Sequence, residues 1–105
     1  MTLDEGVEQE LIGNELAAVT FVRDYVQLSF DGPVLTLTGD LGLSDQNEAP
    51  SPNQIVGLID QSVLAIETDD KLLSISFRNG KVLTVTPGDS PELAQYSSDN
   101  FNFVL

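Results

Sequence analysis

Apolar and polar positions alternate most regularly from Leu72 to Thr86, which reads Leu-Leu-Ser-Ile-Ser-Phe-Arg-Asn-Gly-Lys-Val-Leu-Thr-Val-Thr. Leu73, Ile75 and Phe77 fall on one face of an extended chain and Ser74 and Ser76 on the other; Leu83 and Val85 continue the apolar face. Asn79-Gly80 stands between the two runs. This pair favours a type I′ hairpin turn, whose two central residues both take positive φ. The same pattern occurs from Tyr25 to Thr38, with Asp31-Gly32-Pro33 as its turn. Pro33 has no amide hydrogen to donate, which places it at the turn or at a strand start. Further strands are expected over Leu16–Val22 and Ser62–Thr68. The tail alternates through Phe101, Phe103 and Leu105, with Gln95–Ser98 as a pairing partner across Asp99-Asn100.

Two stretches carry a helical period instead. Within Leu3–Ile12, residues Leu3, Val7 and Leu11 recur at helical spacing, Asp4 can cap, and acidic residues crowd the positive first turn. Ser51-Pro52-Asn53-Gln54 spells a capping box with Pro at the first helical position, opening a helix through Leu58 or Ile59. Its apolar side is Ile55, Leu58 and Ile59. Asp40–Pro50 reads as one long loop without positive charge, and Pro87–Pro91 as a second.

These elements repeat. Leu11-Ile12-Gly13-Asn14 aligns with Leu58-Ile59-Asp60-Gln61 and Phe30 with Phe77, each 47 positions apart. One extra residue at the Asn79-Gly80 turn moves the spacing to 48, so Val34–Thr38 matches Val82–Thr86. Asp4 and Ser51 match as caps. The expected fold class is α+β, internally duplicated: two helix–strand–strand–strand units, about residues 3–40 and 50–89, and a C-terminal strand or hairpin at about 95–105. Together they make a single domain, as one antiparallel sheet or partial barrel with two short helices on one face.

The 105 residues contain no Cys and no His, which removes disulfides, thiolate or imidazole metal ligands, and imidazole acid–base chemistry. Met1–Glu5 lacks the basic and apolar regions of a signal peptide, and no apolar run approaches the roughly 20 residues of a membrane span. A soluble, cytoplasmic protein is the expectation. Seventeen acidic residues against four basic ones give a net charge of −13. Such a surface repels nucleic acid and anionic membranes and attracts basic partners. Solubility alone is the bland alternative.

The acids do not compose a catalytic site. Two carboxylates working as acid and base need an environment that separates their pKa values, and here most lie in turns, loops and the first helix. Asp69 and Asp70, adjacent at a hairpin tip, point apart into water. Glu67 lies within a strand as a cross-strand partner for Lys71 or a neighbour. The Asp40–Glu48 loop lacks the alternating ligand spacing of an EF-hand. No Gly-rich phosphate loop is present. The chain reads as a protein that is not an enzyme, with no cofactor and no metal.

The repeated residues Leu11-Ile12-Gly13, Leu28, Phe30, Asp31-Gly32, Leu35 and Leu37, with Leu73, Ile75, Phe77, Asn79-Gly80, Leu83, Val85 and Pro91-Glu92, resemble a family of small bacterial domains of unknown function. The resemblance implies a duplicated β-sheet fold. In size, charge and style the chain is also similar to bacterial immunity proteins, which neutralise toxins from competing cells.

The leading expectation is therefore an acidic immunity or inhibitor protein that covers the active site of a basic toxin or nuclease. Its candidate contacts are Asp40, Asp45 and Glu48 in the long loop, Asp69 and Asp70 at the hairpin tip, and Asp89 and Asp99, with Tyr96 and Phe101 as aromatic anchors. Tyr25, Tyr96 and Phe101 are the aromatics expected to reach the surface. A secretion-type chaperone offering a sheet edge to its client is the alternative, and a small structural domain the third. Monomer and homodimer both remain open.

Overall fold

The computed structural model describes residues 5–23, 25–44, 48–68, 71–88, 92–99 and 102–104. Their order is α1 (Glu5–Leu11), β1 (Ala18–Val22), β2 (Tyr25–Ser29), β3 (Val34–Leu37), β4 (Asp40–Leu43), α2 (Pro52–Val56), β5 (Val63–Thr68), β6 (Leu73–Phe77), β7 (Val82–Thr86), β8 (Ala94–Ser97) and β9 (Asn102–Val104). The architecture is mostly antiparallel sheet with two short helices. Asp4, the expected cap of α1, lies outside the described residues. The capping box of α2 is present in full: the Ser51 backbone N–H donates to Gln54 Oε1 at 2.8 Å, and the Gln54 N–H donates to Ser51 Oγ at 3.4 Å. No helix among the described residues is long and apolar enough to cross a membrane.

The strands form two sheets, in the orders β1-β2-β3-β8-β9 and β4-β7-β6-β5, where one antiparallel sheet or a partial barrel was expected. Both feed one buried cluster. Leu28, Leu35 and Leu37 enter it from the first sheet, Leu73, Ile75, Leu83 and Val85 from the second, and Val7, Leu11, Ile55 and Leu58 from the helical segments. Burying each such side chain contributes about 1.5–3 kcal/mol, so neither sheet is stable without the other's cover.

Asp40–Leu43, expected as loop, is strand β4, pairing Leu41 with Val85 and Leu43 with Leu83. Its local sequence, Gly-Asp-Leu-Gly-Leu, is poor in strand formers. It is extended because β7 supplies a partner forty residues on. Its counterpart is β8, which pairs with β3, Leu35 opposite Tyr96 and Leu37 opposite Ala94. Thus the strand following β3 pairs with β7, and the strand following β7 pairs with β3. The helices cross in the same way: α1 lies against β5 and α2 against β1. They do not share one sheet face, as expected; each packs on a different sheet.

A knot of backbone hydrogen bonds sits where the crossings meet. The Gly13 N–H donates to the Val63 carbonyl and the Asp60 N–H to the Leu16 carbonyl, both at 2.8 Å; Val63 donates to Asn14 and Leu16 to Gln61, both at 3.0 Å. Each bond has a mate whose donor and acceptor lie 47 positions along in the chain. Gly13 and Asp60 also share a conformation, with φ of +85° and +76°. Glycine adopts this left-handed region freely, whereas a Cβ there costs roughly 1–2 kcal/mol.

The two inner hairpins differ by one residue. In the first, Phe30 N–H donates to the Pro33 carbonyl; in the second, Phe77 N–H donates to Lys81, while Gly80 N–H returns to Phe77 at 3.0 Å. Asn79 does not take positive φ; Gly80 does, at +88°. The expected type I′ turn is therefore a three-residue connection, a tight turn closed by a left-handed glycine, which absorbs the extra residue.

Replacing Asp60 by Gly removes backbone strain while keeping the amide that binds Leu16. We expect Asp60→Gly to raise unfolding stability by about 0.5–1 kcal/mol and Gly13→Ala to lower it by about 1–2 kcal/mol. An added Cβ at Gly13 meets nothing within 4 Å, so the second change isolates the backbone term. Urea midpoints at constant m-value are the check.

Candidate protein-binding cleft

The segment between α1 and β1 runs beside residues 60–63, and the β2–β3 turn folds towards it. Asn14 joins the two. Its Nδ2 donates to the carbonyls of Glu10 (3.2 Å) and Asp31 (3.5 Å), and its Oδ1 accepts the Asp31 N–H at 3.3 Å. This clip sets the Asp31 turn against the end of α1 and leaves a cleft of about 550 Å³ floored by Gly13 and Leu16. A second hollow of about 220 Å³ adjoins it, sharing Glu10, Asn14 and Asp31 and reaching Ser98 and Asp99 after β8.

Carboxylates dominate these walls. Glu10, Glu15, Asp31 and Asp60 line the cleft and Asp99 the hollow, and no lysine or arginine lines either. Glu15, Asp31, Asp60 and Asp99 are exposed and Glu10 is half-buried. Positions 47 residues on carry Gly57, Ser62 and Arg78 in place of Glu10, Glu15 and Asp31. Asp60 is itself the position 47 residues on from Gly13, so the difference in charge lies in Glu10, Glu15 and Asp31. Among the described residues no group of three carboxylates is arranged to hold a metal ion.

Glu10 is fixed from below. The Tyr96 hydroxyl donates to Glu10 Oε1 at 2.5 Å across 86 positions of sequence. Tyr96 itself is only 1% exposed. Burial pushes its phenol well above the ordinary value of 10.0, and the hydrogen bond and negative charge of Glu10 push the same way, against a smaller lowering by Ser98. Tyr96 thus stays a neutral donor, holding the acidic wall in place from the core.

This overturns the expectation that Tyr96 reaches the surface. Strand β8 is an interior strand between β3 and β9, so its inward positions, Ala94 and Tyr96, are buried and Gln95 and Ser97 face out. Of the other expected contacts, Asp99 belongs to the acidic hollow. Asp40 opens β4, exposed opposite Thr86, and Glu48 is exposed in the following loop; neither lines the two clefts. Asp45, Asp69, Asp70, Asp89 and Phe101 lie outside the described residues. The sequence reading missed Glu10, Glu15, Asp31 and Asp60, which stand singly in helix and turns. The signal was available in the repeat alignment, where Glu10, Glu15 and Asp31 face Gly57, Ser62 and Arg78, and Asp60 faces Gly13.

Comparison of the chain with protein-family models, with curated proteins and with solved structures finds no match.

Tyr96→Phe keeps the packing and removes the donor to Glu10. The loss expected at neutral pH is about 1.5–3 kcal/mol, the range for hydrogen bonds to charged groups. Because the folded-state pKa is raised, the stabilisation is complete below about pH 10, where an exposed phenol begins to ionise, and declines above it. Unfolding curves of both proteins, neutral and alkaline, should show the gap between them narrowing at high pH.

Proposed function

We propose that this protein is an acidic protein-binding module of the immunity or inhibitor type, whose cleft between α1, the β2–β3 turn and the end of β8 receives basic side chains around the active site of a toxin or nuclease. One observation carries the reading: five carboxylates converge on adjoining hollows, and three of them, Glu10, Glu15 and Asp31, have Gly57, Ser62 and Arg78 at the positions 47 residues on. A charge of −13 spread for solubility alone has no reason to favour one of two matched surfaces. The duplicated organisation belongs to the same proposal. The paired bonds at Gly13 and Asp60 support two copies of one helix–strand–strand–strand unit, one of which acquired the acidic wall.

The physics suits rapid neutralisation. A concave, one-signed surface focuses the field and raises encounter rates with a basic partner towards 10⁸–10⁹ M⁻¹s⁻¹ at low salt, roughly. The mixed lining, with Ile12 and Ala17 beside the acids, accommodates the aliphatic stems of Lys and Arg as well as their charged heads. A cytoplasmic site of action goes with this reading, since the partner is neutralised inside the cell that carries the inhibitor. No catalytic step is assigned.

The combined variant Glu15→Gln, Asp31→Asn, Asp99→Asn keeps the shape of the cleft and removes three charges. A lysine- and arginine-rich peptide titrated into the labelled protein should perturb amides of residues 10–17, Asp31, Asp60 and Asp99 at low salt. The variant should bind about tenfold more weakly, roughly 1.4 kcal/mol, with a flatter salt dependence. Perturbations spread evenly over the surface would refute the cleft as the docking site.

A further inference from the structure

We infer that the chain is an interlocked pair of half-molecules, residues 1–48 and 49–105, each the binding partner that completes the other, and that the covalent link between them is dispensable once the fold is made. Strand β3 has its second neighbour only through β8, and β4 pairs only with β7. The four bonds among Gly13, Asn14, Leu16, Asp60, Gln61 and Val63 all cross between the halves. So do Thr38 N–H and Gly39 N–H to the Leu93 carbonyl (3.0 and 3.2 Å), Ser44 N–H to Val82 (2.9 Å), and Tyr96 to Glu10. The buried cluster is a single one and draws on both halves, Leu11, Leu28 and Leu35 from one, Leu58, Ile75 and Leu83 from the other. Neither half contains a core or a finished sheet of its own.

Charge does not drive this recognition. The first half holds ten acids and one arginine, the second seven acids and three basic residues, so both are negative. Their association runs on apolar burial and strand pairing against electrostatic repulsion, and screening by salt strengthens it. That sign is opposite to the one expected for a basic partner in the acidic cleft, so the two bindings separate in one experiment.

The test starts from the intact folded chain with a protease site inserted between Glu48 and Ala49, both exposed. After cleavage the particle should keep its mass in sedimentation and its full circular dichroism and amide spectrum. Separated in urea, each half should show no cooperative unfolding transition alone. Remixed without urea, the halves should recover the native spectrum at one-to-one stoichiometry, and more tightly at high salt than at low. Halves that part on cleavage without denaturant overturn the inference, as does either isolated half that unfolds cooperatively. Failure of the acidic-cleft titration leaves this result untouched, because it reads the inner contacts and not the surface.

Discussion

Four backbone hydrogen bonds between Gly13–Leu16 and Gln61–Val63, with Asp60 among the donors, are the constraint on which the other elements depend. They lie where each helical segment turns into its first strand, and they pair the backbone groups of the buried Leu16 and Val63 with those of Gly13, Asn14, Asp60 and Gln61 at the rim of the core. Once they form, α1 must lie against the second sheet and α2 against the first. The exchange of β4 and β8 follows the same crossing. The left-handed residue at each crossing turns the chain sharply enough for two extended segments to bond each other. Glycine fills one position and aspartate the other, so one side is relaxed and the other strained.

The acidic cleft is a by-product of this arrangement. Its floor is the crossing itself, with Gly13, Leu16 and Asp60 in the lining; its walls are the end of α1 and the β2–β3 turn held by Asn14. The positions 47 residues on from Glu10, Glu15 and Asp31 carry Gly57, Ser62 and Arg78. A site on a scaffold this constrained is preorganised, because Asn14 and Tyr96 restrain the groups that carry Asp31 and Glu10.

Much of the fold was legible because it is local. The Leu73–Phe77 and Val82–Thr86 runs, the capping box at Ser51, and the hairpin of the C-terminal tail appear where alternation and turn chemistry place them. The pairing between distant strands was not. Nothing in Asp-Leu-Gly-Leu announces a strand, and nothing in Ala-Gln-Tyr-Ser announces that its tyrosine is enclosed on both sides by β3 and β9. Alternation fixes which residues share a face but not which neighbour that face meets. The same gap hid the candidate site. Glu10, Asp31 and Asp99 are separated by tens of residues; Asn14 joins the first two, and Asp99 reaches them because β8 inserts beside β3.

That insertion also sets a schedule for synthesis. As the chain leaves the ribosome, β1, β2 and β3 emerge first and can pair with one another, yet β3 keeps a bare row of amides and carbonyls along its far side. The strand that covers this row is residues 94–97, made some sixty residues later. Until then the nascent sheet carries an open edge of the kind that recruits other chains. The ten acids of residues 1–48, set against one arginine, keep identical neighbours on a polysome apart during that interval. The charge proposed to draw a basic partner to the finished surface thereby also guards the unfinished one from its own copies.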